Sequence, residues 1–172
     1  MPEGPEIARC VERVIEHIPA VAKRLGIDAN GGWTLLIKDQ LAQLGDELDY
    51  DVCASGAAWP DADRHPDWLY DLTWLKRASG GTEVARVPLV LESEWHSNRD
   101  EQRDDFQELL SAPADLHVLV FQQRKAAAVQ AVMDELERQA KACEAAGRGE
   151  LCMLCGYDWE DTQRFAFRTF AT

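Results

Sequence analysis

The sequence predicts an α/β fold in which a mixed central β-sheet is flanked by helices, and three observations predict it. Runs of strand length alternate along the chain with runs of apolar residues at helical spacing. One run, Leu116-His117-Val118-Leu119-Val120-Phe121, is almost continuously apolar, as expected of a strand covered on both faces. Residues 66–95 read as a β-hairpin: Pro66 to Leu75, a Gly80-Gly81 turn, then Val87 to Trp95. With 172 residues, 46% of them hydrophobic, the chain is long enough for one full core. A single domain over residues 1–172 is expected, with N-terminal helices in 5–45 and the core sheet and helices in 48–172.

In chain order, Ile7, Val11, Val14, Ile15 and Ile18, then Val21, Ala22 and Leu25 after Pro19, give a helix that Gly26 ends. Asn30-Gly31-Gly32 reads as a turn, and Trp33, Leu36, Ile37, Leu41 and Leu44 as a second helix with Gly45 just past its end. Leu48 to Ala54 is a short strand, residues 55–66 a loop, and residues 67–76 and 86–95 the strands of the hairpin. Ser97 or Asn98 caps a helix to about Leu110, with acids weighted to its early turns and Pro113 beyond it. A strand over 116–122 follows, then an Ala-rich helix from Arg124 to near Gly147, and two strands, Leu151 to Tyr157 and Phe165 to Phe170.

Composition bounds the function. A net charge of −13 and a pI near 4.6 oppose a generic nucleic-acid binder, because phosphate affinity comes from Lys and Arg. Lys76, Arg77, Arg86, Arg99, Arg103, Arg124 and Lys125 flank the hairpin, as a local basic rim or as solvated surface charges. No apolar run reaches the roughly 18 residues of a membrane span, and Met1 to Glu6 has no basic and apolar leader, so a cytoplasmic protein without membrane contact is expected. Five scattered cysteines fit a reducing compartment. Cys152 and Cys155 lie three apart in a strand-like run, which turns them to opposite faces and favours buried thiols over a metal or redox pair.

The chemistry-bearing feature is the acidic hairpin. Period-two alternation places Asp71, Thr73 and Leu75 on one side of the first run and Val90, Glu92 and Glu94 on one side of the second. Tyr70, Leu72, Trp74, Leu89, Leu91 and Trp95 take the opposite, apolar side. Carboxylates inside apolar strands are costly unless paired, and a divalent cation such as Mg²⁺ or Mn²⁺ is a natural partner. Asp71, Glu92 and Glu94 are therefore candidate metal ligands and catalytic residues; acids on a solvated strand face are the plain alternative. His96 is a candidate base or ligand, or a surface histidine at a strand end.

An α-β-β-β-α-β order with an acid in the second strand, Glu92-x-Glu94 in the third and an apolar fourth strand resembles the PD-(D/E)xK nuclease superfamily, the restriction-endonuclease-like fold, over residues 33–125. The resemblance implies a metal-dependent phosphodiester hydrolase acting on nucleic acid. Asp71 would be the second-strand metal-binding acid, Glu92 the (D/E) position and Glu94 the position usually held by lysine. Asp67, after Pro66, is the other candidate for the first acid, and Asp71 is preferred because it lies within the apolar run. Residues 99–110 contain no lysine to replace the missing one. The alternative is a catalytically inactive scaffold of the same fold, an acidic interaction or regulatory subunit for a basic protein partner.

Overall fold

The computed structural model describes residues 3–54, 56–57, 69–143 and 149–172. Its elements are α1 (Gly4–Leu25), α2 (Asn30–Glu47), β1 (Asp51–Cys53), β2 (Leu72–Arg77), β3 (Val84–Glu94), α3 (Arg99–Leu110), β4 (Leu116–Gln123), α4 (Ala126–Ala142), β5 (Leu151–Asp158) and β6 (Phe165–Ala171). The strands form one six-stranded sheet whose spatial order is the chain order. β1, β2 and β3 are antiparallel neighbours, β4 and β5 are added in parallel through the α3 and α4 crossovers, and β6 returns antiparallel to β5. The expected α/β architecture with a mixed sheet is therefore the observed one.

Each face of the sheet carries its own core. Leu72, Trp74, Leu89, Leu91, Val118, Val120, Met153 and Cys155 pack beneath α1 and α2. Val90, Leu119, Phe121, Cys152 and Leu154 pack beneath α3 and α4. β4 is buried over nearly its whole length because both layers cover it. Cys152 and Cys155 lie on opposite faces, both free and buried, and burial pushes the Cys152 thiol up to about 12. Trp74 and Trp95 are buried as their pattern required.

Several boundaries differ from the sequence reading for physical reasons. Helix α2 begins at Asn30, so the glycine pair lies in its first turn, where the Ala29 carbonyl accepts from the N–H groups of Gly32 and Trp33. Gly45 does not end α2: the helix runs on to Glu47, and Gly45 is where it crosses the sheet. A Cβ there would stand 2.6 Å from Trp74 Nε1 and 2.7 Å from Val52 Cγ2. The first hairpin strand starts only at Leu72, and Leu69 to Asp71 form a bend. Tyr70 consequently escapes the expected parity and packs on the α3 side, opposite Leu72 and Trp74. Asp67 and Trp68 lie outside the described residues, as does the expected end of the Ala-rich helix near Gly147; α4 is observed to Ala142.

Candidate active site

β3 is the strand that positions the site. It pairs with β2 on one side and β4 on the other, and Leu72 opposite Leu91 brings Asp71 alongside Glu92 at its carboxyl end. In sheets of this kind the crevice beyond the carboxyl ends of parallel strands is the usual place for a ligand. Glu92 and Glu94, two residues apart, face α3, where Asp105 and Glu108 approach them. Burial, followed by repulsion from Asp71 and Asp105, pushes Glu92 up to about 8, although the Asp71 backbone N–H donates to it. Burial also pushes Asp105 up to about 6, with further contributions from the charge of Glu94 and a hydrogen bond shared with it.

Asp71 behaves differently because it precedes the regular strand. Its Oδ2 accepts from the Ser93 N–H at 3.0 Å and the Ser93 hydroxyl at 2.7 Å, and its Oδ1 lies 3.7 Å from the Lys38 ammonium on α2. The expected convergence of three carboxylates on one face is not what the side chains do: Glu92 and Glu94 face α3, while Asp71 turns its carboxylate to Ser93 and toward Lys38 of α2. Lys38 is only 4% exposed, so its charge is answered within the protein more than by water. The Thr34 hydroxyl lies 3.2 Å from that of Ser93 and accepts from the Trp95 indole N–H at 2.8 Å.

His96 follows β3 and reaches back, its Nδ1 lying 2.9 Å from Glu94 Oε1 and 3.4 Å from Glu101 Oε2. Among the described residues, Glu94, His96 and Glu101 form a group whose ligand atoms all lie within 4.8 Å of one another; Asp71 and Glu92 are not part of it. A buried amide network holds the segment in place. Gln102 Nε2 donates to the carbonyls of His96, at 2.8 Å, and Gln122, at 3.0 Å. Gln123 donates to Gln102 Oε1 and to the Ser97 carbonyl, and Gln122 to the Trp95 carbonyl. Asn98 caps α3 by accepting from the Asp100 N–H at 3.0 Å.

Sequence reasoning found the acids on β3 but missed Lys38, Asp105 and the glutamines. Lys38 had a signal: it lies four residues after Thr34 and three before Leu41, on the covered face of α2. Gln122-Gln123 ends an otherwise apolar strand, which is also informative. Of the basic rim, all but Lys125 stand in ion pairs among the described residues. Lys76 pairs with Asp49, Arg77 with Asp51, Arg86 with Asp115, Arg99 with Glu135, Arg103 with Asp100, and Arg124 with Glu160.

The donor set is chemically coherent for a hard divalent cation. Carboxylate oxygens crowd one end of a strand, and their mutual repulsion is the kind a cation such as Mg²⁺ or Mn²⁺ relieves; the one imidazole nearby suits a softer ion than Mg²⁺. Among the described residues no helix is long and apolar enough to cross a membrane. Compared with family models, with curated proteins and with solved structures, the chain matches none, and the functional reading rests on the geometry above.

Proposed function

We propose that the chain is a metal-dependent phosphodiester hydrolase acting on nucleic acid, as its resemblance to the PD-(D/E)xK superfamily implies. The observation that carries this reading is Lys38, a buried ammonium against Asp71, the residue that pairs alongside Glu92. It supplies from α2 the lysine that Glu94 displaces from the motif and that α3, whose cations are Arg99 and Arg103, does not contain. Glu92 and Glu94 are the ligands for Mg²⁺ or Mn²⁺, with Asp71 anchored at their side. When bound, the ion neutralises phosphate charge and lowers the pKa of water.

The chain's own groups then divide the work. Lys38 contributes its positive charge from the α2 side, through Asp71. Attack by water forms one P–O bond as the ester P–O bond breaks. The water proton passes to the imidazole of His96 or to Glu94, which already share a hydrogen bond. Asp105, with a pKa near 6, returns a proton to the departing oxygen.

The test combines Mn²⁺ titration by calorimetry with cleavage assays on single-stranded DNA, duplex DNA and RNA. Glu92→Gln should lose metal binding and cleavage together. Lys38→Met, which keeps the buried stem, should bind Mn²⁺ while cleaving at least about a hundredfold more slowly, in line with the loss of one preorganised charge. Wild-type protein that neither binds Mn²⁺ nor cuts any of the three substrates would overturn the reading in favour of an acidic scaffold for a basic protein partner.

A further inference from the structure

A second feature lies on the same row of strand ends. A cleft of about 670 Å³, within the range of small-ligand sites, opens where β3, β4 and β5 finish, and Trp33, Trp95, Tyr157 and Trp159 line it together with Gln122 and Lys23. Trp33 packs on Trp95 with ring centroids 5.6 Å apart and on Tyr157 at 5.0 Å, giving a stiff aromatic wall. Trp159 is different: it is 43% exposed, and among the described residues no ring packs against it. Its backbone is nevertheless fixed. The adjacent Asp158 carboxylate accepts from the N–H groups of Asp161, Thr162 and Gln163 and from the Thr162 hydroxyl, so the β5–β6 turn is held by four hydrogen bonds. A large apolar ring held half in water on a rigid turn is ready to stack on something planar.

The cleft lies on the α2 side of the strand end whose other side carries the acids. Trp95 directly follows Glu94, and its indole N–H bonds Thr34, which stands over Ser93 and its partner Asp71. An occupant that starts in the cleft and passes over the end of β3 to the acids needs a flat ring at one end and a phosphodiester at the other, with polar edges for Gln122 and a negative charge for Lys23.

We infer that this cleft seats an unpaired nucleobase of single-stranded nucleic acid, stacked on Trp159 and Trp33, while the adjoining phosphodiester lies at the β3 acids. The inference rests on the nucleic-acid reading above and specifies its substrate: a base must be out of the duplex for its faces to reach these rings. The amide of Gln122 and the rim ammonium of Lys23 add polar contacts that do not depend on the identity of the base.

The test reads binding by fluorescence anisotropy at about 0.15 M salt, where long-range repulsion from the acidic surface is screened. The probes are a labelled single-stranded oligodeoxythymidylate of about ten nucleotides, an abasic phosphodiester of the same length and a duplex, each in EDTA and again with Ca²⁺. The single strand should bind tightest. Trp159→Ala should weaken it by about tenfold or more, Trp159→Phe should retain affinity, and the abasic chain should bind wild type no better than the single strand binds Trp159→Ala. Equal binding of abasic and base-bearing chains overturns the inference, as does an unchanged Trp159→Ala, or no binding of the single strand under either condition. Base-dependent binding without cleavage by any metal keeps this inference and sinks the hydrolase. Cleavage without base dependence does the reverse.

Discussion

Burial and the carboxylates of Asp71 and Asp105 push Glu92 up to about 8, so in metal-free protein this carboxyl is largely protonated at neutral pH. Its folded pKa lies above the unfolded value. Below about pH 4.5 it is therefore protonated in both states and contributes nothing, and stability is lost as pH rises from there through 8. Glu92→Gln should accordingly stabilise the metal-free protein at alkaline pH by ~1–3 kcal/mol, discounted for residual solvent access, and change little in acid. Denaturant melts at the two pH values check this, and an equal effect at both would separate Glu92 from its acidic neighbours. The acids themselves were legible because two-residue spacing on a strand is visible in the chain. Their pairing was less so. Asp71 sits one residue outside the regular strand, and the alternation that orients Glu92 and Glu94 says nothing about a residue in a bend. Lys38 reaches the site only through the packing of α2 on the sheet.

Elements meet closely at two places that invite substitution. At Gly45, α2 crosses β1 and β2 with the Trp74 indole in the position a Cβ would need, and Trp74 is fully buried and has no room to move. Gly45→Ala gains helix propensity of up to about 1 kcal/mol but forces an overpacked contact costing ~1–3 kcal/mol, more for Val. A fall in melting temperature of roughly 2–10 °C is expected for Ala, and a larger one for Val. At the β5–β6 turn, burial alone would raise the pKa of Asp158. The Thr162 hydroxyl and the N–H groups of Thr162, Gln163 and Asp161 outweigh burial and hold it below the usual range. Its contribution is present above the ordinary carboxylate pKa and is lost as pH falls through the lowered one. Asp158→Ala should cost ~1–3 kcal/mol at neutral pH and less in strong acid, read by thermal melts across pH. Helix and strand identities were readable from periodicity, whereas the role of Gly45 was not: a glycine near the end of an apolar pattern looks the same whether it caps a helix or admits a neighbouring ring.

At the scale of the whole molecule, acid and base act on different groups. Asp105, like Glu92, has a raised pKa and weakens the metal-free fold as pH climbs from about 3.8 through 6. His117 is fully buried, with Nε2 donating to the Ala112 carbonyl at 3.0 Å, and burial lowers its pKa. Its stabilisation is complete above about 6.5, the unfolded value, and lost as pH falls toward the folded one. In EDTA the contribution of Glu92 and Asp105 should fall as pH rises from about 4 through 8 and then level off. Millimolar Mn²⁺ should flatten that fall without altering the loss that His117 causes in acid, and thermal melts with and without the ion measure both. A fall unmoved by Mn²⁺ counts against the metal reading. The charge of −13 adds a general repulsion that salt should relieve in either case.

The sequential strand order has a consequence for synthesis. Each strand of the sheet, from β1 to β6, emerges next to a neighbour already made, so the sheet can extend at one growing edge while the chain is still being produced. Helix α1 breaks this economy. It packs on α2 and also across β4, β5 and β6, so the first helix to leave the ribosome completes its seat only when the last strands arrive. Until then part of the face formed by Ile7, Val11, Ile15 and Ile18, all buried in the finished protein, remains open to water. A chain halted after β4 would carry this apolar face beside an unpaired strand edge, and that nascent species is the one a holding chaperone would be expected to meet.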